Sequence, residues 1–140
     1  MRYIALLILH CTAVTPMQTS SVEQIHQWHL AKGWRNGCGY HFVVRRDGMV
    51  EQGRPVEMVG AHCLNHNKHS IGIAYEGGLD MDGRPADTRT PEQKKALREL
   101  LATLKKEYPK ALVVGHNTFS NKACPCFDMG EYEDLQPEGK

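Results

Sequence analysis

A chain of 140 residues, 41% of them hydrophobic, is long enough for one ordinary core and too short for two domains. That apolar content excludes a disordered chain. A formal net charge of +1 without a long basic stripe argues against a nucleic-acid partner, and no segment is long and apolar enough to span a bilayer.

The first element is an Ile- and Leu-rich run over residues 3–9, which reads as a strand buried on both faces. Arg2 precedes it, but the run is short for the core of an export signal, ends at His10-Cys11 and has no small-residue cleavage site after it. It is expected to be the first strand of a protein that is cytoplasmic at synthesis. Thr15-Pro16 breaks the run. Ser20 is the expected N-cap of a helix, with Glu23 closing the capping box; Val22, Ile25, His29 and Leu30 share one face and Gly33 is the stop. Residues 40–45 and 49–52 read as a hairpin joined by a two-residue Asp47-Gly48 turn.

Ser70 to Tyr75 is the next strand, ended by Gly77-Gly78. Residues 79–89 are rich in Asp, Gly and Pro and read as an exposed loop. Thr90-Pro91-Glu92-Gln93 opens a second helix, with Thr90 as cap, Pro91 in its first turn and Gln93 closing the box. Leu97, Leu100, Leu101 and Leu104 form its buried stripe, and Lys94, Lys95, Arg98, Lys105 and Lys106 its solvated face. Pro109 stops it, and residues 111–114 make the last strand. From about Leu135 the acidic tail is expected to fray. Strands and helices mixed around one sheet predict an α/β (mixed α+β) fold, a single domain over residues 1–140.

The chemistry-bearing residues gather after strand ends. His10 follows the first strand; His116, Lys122 and Cys124 follow the last. A catalytic zinc takes three protein ligands and keeps one position for water, whose pKa it lowers from about 15.7 towards roughly 7. Read singly, His10 also fits a strand-end histidine bonded to backbone, and Cys124 a buried thiol. Two such ligands on separate strand ends favour a shared metal. Lys122, two residues before Cys124, could donate to an oxyanion, or be an ordinary surface lysine. The Tyr40 hydroxyl could meet the same reacting carbonyl, or sit half-buried on the sheet. Five cysteines, an odd number, suit a reducing compartment. Cys124 and Cys126 are one residue apart, so a disulfide between them would be strained and metal ligation by one of them is the better reading. Cys124 or Cys38 as a nucleophile paired with a histidine is the remaining alternative.

Taken in order, Leu9-His10-Cys11-Thr12, Gly39-Tyr40-His41-Phe42, Asp47-Gly48, Gly53-Arg54, Val59-Gly60-Ala61-His62, Asn67, Ser70-Ile71-Gly72-Ile73, Gly77-Gly78, Gly115-His116 and Lys122-Ala123-Cys124-Pro125 resemble one family. It is the zinc-dependent N-acetylmuramoyl-L-alanine amidases of the phage-lysozyme type, relatives of the peptidoglycan-recognition proteins. The resemblance runs from the first strand through Asp128. It implies a central mixed sheet flanked by helices, with a zinc cleft on one face. It implies one zinc ion on His10, His116 and Cys124, catalytic roles for Tyr40 and Lys122, and substrate contacts near His62, Asn67 and Thr12. Cys126 matches no ligand position. The implied partner is peptidoglycan or a muropeptide, with neither nucleic acid nor membrane, and the implied state is a monomer. The implied role is that of a phage or prophage endolysin reaching the cell wall after release. The alternative within the resemblance is a recognition module that binds peptidoglycan without cutting it; the presence of Cys124, Tyr40 and Lys122 favours the enzyme.

Overall fold

The computed structural model describes residues 2–137. The chain forms β1 (Leu6–Cys11), α1 (Val22–Ala31), β2 (Phe42–Val44), β3 (Val50–Gln52), β4 (Ser70–Tyr75), α2 (Pro91–Glu107) and β5 (Leu112–Gly115). The strands make one five-stranded sheet in the order β3-β2-β4-β1-β5. β1 runs parallel to β4 and to β5, β2 runs parallel to β4, and β3 is antiparallel to β2. This is the mixed sheet that the sequence pattern and the resemblance led one to expect.

Both β1 and β4 are buried along their whole length, as central strands of a sheet covered on two faces must be. Alternation divides their side chains. Leu7, Leu9 and Cys11 join Ile71, Ile73 and Tyr75 in packing against Leu97, Leu101 and Leu104 of α2. Leu6 and Ile8 point the other way, towards Cys63, Leu112, Val114 and Phe119. Ile25 of α1 packs with Cys38 and Val43, so α1 and α2 cover opposite faces. By the same alternation His10 shares the face of Leu6 and Ile8, away from α2. The β4 residues on that face are Ser70, Gly72 and Ala74, all small, which leaves space above the sheet there.

The expected α2 start is observed: Thr90 accepts from Gln93 N–H and the Gln93 side chain reaches back to Thr90 N–H. The α1 cap is one residue later than expected, on Ser21 with Gln24, rather than on Ser20 with Glu23. Ser20 is claimed by tertiary contacts instead. Its N–H donates to Glu76 at 2.6 Å and its hydroxyl pairs with that of Thr12 at 2.7 Å. The hairpin also differs. Arg45 N–H donates to Met49 O and Gly48 N–H to Arg45 O, with φ +90° at Gly48. The connection therefore spans three residues and uses a glycine bulge, not a two-residue primed turn. Leu30 is exposed rather than buried with Ile25 and His29. The expected loop over 79–89 is largely exposed but ends on a buried Arg89. The tail is held further than expected: Leu135 packs on the core, and the Gln136 side chain exchanges two hydrogen bonds with the backbone of Val113. Residues 138–140 lie outside the described ones.

Glu76, at the end of β4, is a buried carboxylate that ties four segments together. It accepts from Ser20 N–H, Arg45 Nε at 3.0 Å and Arg46 N–H at 3.0 Å. The neighbouring carbonyl of Glu76 accepts from Gln93 of α2. Burial pushes the carboxyl upwards, but Arg45 and the two backbone donors outweigh it and hold it below the usual carboxylate range. A depressed folded-state pKa means stability that is present above the unfolded value of about 4.3 and is lost as the pH falls through the folded value. Glu76→Gln should cost about 1.5–3 kcal/mol at neutral pH, the range for hydrogen bonds to a charged group. In urea titrations at a series of pH values, the gap between the two proteins should narrow below about pH 4.3. A gap independent of pH would show that the carboxylate charge is not what holds these segments.

Candidate active site and metal centre

The site lies at the carboxyl ends of three parallel strands. Leu9 pairs with Gly115 across β1 and β5, so the next residue on each strand, His10 and His116, stand side by side on one face. Their ring centroids are 4.6 Å apart. α1 follows β1 on one face of the sheet and α2 follows β4 on the other. The crevice therefore opens where neighbouring strands send their connections to opposite sides, the usual ligand position in parallel sheets.

After His116 the chain makes a 3₁₀ turn, His116–Thr118, and loops back to set Cys124 against the end of β1. Cys11 N–H donates to Cys124 Sγ at 3.1 Å. The segment beyond Cys124 is firmly tied. The Tyr75 hydroxyl donates to Pro125 O at 2.6 Å. Arg89 stacks on Phe127 at 3.6 Å from the ring centroid and bonds Asp87, Glu131 and the Tyr132 hydroxyl. The C-terminal segment is thus clamped to the rest of the fold on the far side of the ligand loop.

Among the described residues, one ligand atom each from His10, His116 and Cys124 lie within 4.8 Å of one another. Two imidazoles and a thiol are a donor set suited to zinc. Bond lengths of about 2.0–2.3 Å would need only small side-chain rotations to close on one ion. The protonation states also fit. Burial, with His62 and His116 nearby, keeps His10 far below its ordinary pKa; burial and Lys122 lower His116. Both imidazoles are therefore neutral and able to ligate at neutral pH. The Cys124 thiol is lowered by its hydrogen bonds from the Cys11 side chain and backbone, against its own burial. Cys11 is correspondingly raised, so Cys124 is the thiol of this pair that ionises.

These residues line an open cleft of about 740 Å³. Tyr40 is half-buried in its wall, its ring centroid 5.2 Å from that of His10. Burial and the thiols of Cys124, Cys11 and Cys38 push its phenol up, so it keeps its proton. Lys122 is exposed at the rim on the Cys124 loop. Thr12, His62 and Asn67 also line the cleft, yet the Thr12 hydroxyl, both His62 nitrogens and the Asn67 side-chain oxygen are engaged locally. Thr12 Oγ1 pairs with Ser20 and accepts from Gly77 N–H; Asn67 Oδ1 accepts from the N–H groups of His62 and Cys63. His62 Nδ1 lies 2.8 Å from His10 Nε2. Cys126 stands apart from the imidazoles, its Sγ 3.9 Å from that of Cys11, and burial raises it to about 12. Cys38 is buried against Tyr40 O and raised by that burial, which suits packing rather than nucleophilic attack.

Sequence reading passed over the opposite wall. Trp28, His29 and Lys32 of α1 and its C-terminal cap, then Trp34, line the cleft with Leu64. Trp28, His29 and Lys32 fall at i+3, i+4 and i+7 from buried Ile25, on one side of the helix, and that spacing was the available signal.

The chain matches the family model described as N-acetylmuramoyl-L-alanine amidase over residues 1–127. The chain belongs to that family. The amidase is 42% identical over 123 residues to the endolysin of Klebsiella phage KP32, covering 88% of this chain and 81% of that protein. Among solved structures it resembles the N-acetylmuramoyl-L-alanine amidase LysC from Clostridium intestinale, with a TM-score of 0.80 and 27% identity over 96% of this chain and 83% of that one. The endolysin of the Thermus scotoductus bacteriophage Ph2119 is similar at a TM-score of 0.78 and 28% identity, covering 99% and 88%. The chain is an enzyme acting on peptidoglycan. No helix among its described residues is long and apolar enough to cross a membrane.

The Arg89 clamp gives a test of how the amidase holds its ligand loop. Arg89→Met keeps the apolar stem over Phe127 and removes the bonds to Asp87, Glu131 and Tyr132. Those carboxylates are partly exposed and regain water, so the expected loss is about 1–3 kcal/mol by urea denaturation. A variant as stable as the parent would show that the segment after Cys124 is held by packing alone.

Proposed function

We propose that this amidase is zinc-dependent, with His10, His116 and Cys124 as ligands and Tyr40 and Lys122 as catalytic residues. We propose further that it serves as a phage or prophage endolysin. The bond cut is the amide between the lactyl group of N-acetylmuramic acid and L-alanine. The observation that carries the reading is the convergence of two neutral imidazoles and an ionisable thiol at the head of an open cleft, in a chain of this family. A zinc ion there would act as a Lewis acid towards the carbonyl and make hydroxide available at neutral pH.

The chain's own residues supply the rest. Lys122, two residues from Cys124, carries its ammonium at the cleft rim and donates to the oxygen on which negative charge develops. Tyr40, whose proton is held by its surroundings, acts as a hydrogen-bond donor to the same carbonyl oxygen or to the attacking water, not as a base. Trp28 and Trp34 offer flat apolar faces for a sugar ring or the stem peptide. The engaged hydroxyl of Thr12 leaves its methyl for a substrate contact, and the Asn67 amide nitrogen is the donor that residue can offer. The endolysin role is supported by the phage relatives at 42% identity, which fit an enzyme that meets the wall after release. A module that only recognised peptidoglycan would have no use for the thiol, phenol and ammonium together.

Purified cell walls should release new L-alanine amino termini with the protein, and a chelator should stop the release. Chelator-insensitive release would remove the metal from the reaction. Lys122→Ala should keep its zinc and lose about 10²–10³ in turnover, the usual effect of one oxyanion donor. Metal analysis should find zinc lost from Cys124→Ala and kept in Cys126→Ala. The reverse pattern would show that the wrong thiol is assigned.

A further inference from the structure

We propose that His62 is a positioning residue of the metal centre: its Nδ1 accepts the Nε2 proton of His10 and so selects the His10 tautomer that ligates through Nδ1. This rests on His10 being a metal ligand, as proposed above. An imidazole has two nitrogens, and His10 Nε2 is already 2.8 Å from His62 Nδ1. Only Nδ1 is left for an ion. For that nitrogen to offer its lone pair, the proton must sit on Nε2, and His62 must then be the acceptor. The other nitrogen of His62 completes the chain, Nε2 donating to Ser70 Oγ at 3.2 Å. Both nitrogens of His62 are spent inside the protein, so neither is free for a stem peptide.

The surroundings hold this ring in place. Asn67 Oδ1 accepts from both His62 N–H and Cys63 N–H at 2.9 Å, which fixes the backbone carrying the ring. Two glycines make the seat. A Cβ on Gly72 would lie 2.5 Å from the His62 ring and one on Gly60 2.7 Å from its Cδ2. A methyl at either position would displace the imidazole. The small β4 face of Ser70, Gly72 and Ala74 thus acquires a purpose: it accommodates a second histidine behind the first. Partners that orient a metal-bound histidine in this way typically contribute 10–100-fold in metal affinity.

Zinc affinity, measured by competition with a chelating dye, tests the assignment on four proteins. His62→Leu, which cannot accept a proton, should bind zinc about 10–100-fold more weakly than the parent. His62→Asn, whose Oδ1 can stand near the place of Nδ1, should recover most of that loss. Gly72→Ala removes no polar atom but crowds the ring, and should weaken binding in the same direction. Long-range ¹H–¹⁵N spectra of the zinc-loaded parent should show His10 protonated at Nε2; this readout needs no variant and stands even if His62→Leu does not fold. Parent-like affinity in a folded His62→Leu, or a His10 ligating through Nε2, would overturn the proposal while leaving the metal site intact. A parent protein that binds no zinc would overturn both.

Discussion

Everything at the site depends on the register of β1 between two parallel neighbours. With Leu9 opposite Gly115 and His10 opposite Ala74, the last turns of pleat put His10 and His116 on the same face and at the same height. A slip of one residue would send His10 into the α2 core and Leu9 into the cleft, because side-chain direction alternates with each residue. The register is held by burial on both sides: Leu7 and Leu9 against α2, Leu6 and Ile8 against the opposite layer. The apolar core therefore sets the distance between the two histidines, and the ligand loop only has to bring the thiol to a pair already formed.

That division explains how the molecule distributes its polar bonds. Near the cleft, buried polar groups are spent on geometry: Glu76 gathers the ends of β2 and β4 and the start of α1, and Gln93 links α2 to the same strand ends. His41 contributes in the same way, its Nδ1 accepting from Gly72 N–H and its Nε2 lying 2.9 Å from Met58 O. The imidazole takes a strand donor immediately ahead of β2, which starts at Phe42 rather than at the expected Tyr40. On the far side, Arg89 performs a comparable task for the segment after Cys124. Rigid strand ends and two polar clamps leave few degrees of freedom in the ligand set, which is what a preorganised centre requires.

Much of this was legible in the chain because it comes from strong local signals. The apolar runs of β1 and β4, the Thr90-Pro91-Gln93 start of α2 and the leucine stripe behind it are dictated by period and capping; of the three metal-ligating candidates, His10 lies near the end of β1, and His116 and Cys124 follow β5. The misreadings share one cause, tertiary bonds overriding local preference. Ser20 looks like a cap until Glu76 and Thr12 claim it, and Asp47-Gly48 looks like a primed turn until the strands pair one residue further out. The α1 wall of the cleft was hidden because Trp28 and Lys32, at helical spacing from Ile25, read equally well as an ordinary amphipathic face, and Trp34 lies beyond the helix. His62 was visible as a groove residue but not as the neighbour of His10, since that contact joins positions 10 and 62 across the sheet and exists only once β4 presents glycine and serine beneath it.

The charge balance of the cleft narrows the chemistry it can favour. Among the described residues that line it there is no carboxylate; the charged groups are Lys32 and Lys122, with neutral imidazoles, a phenol and one ionisable thiol. A site built around a carboxylate base would draw its driving force from pulling a proton away from the nucleophile. This one is arranged to receive negative charge. On the proposed assignment, a thiolate and two neutral imidazoles would leave a bound divalent cation with net positive charge, and Lys122 would add to it from the rim. In a reaction whose transition state gathers charge on a carbonyl oxygen, such preorganised positive potential is the largest single contribution available. The absence of a lining carboxylate also preserves that potential, since a fixed negative group nearby would screen the oxygen from Lys122 and raise the cost of bringing up a second anion. What the fold supplies is therefore an electrophilic pocket, its polarity set by the residues that are missing as much as by those present.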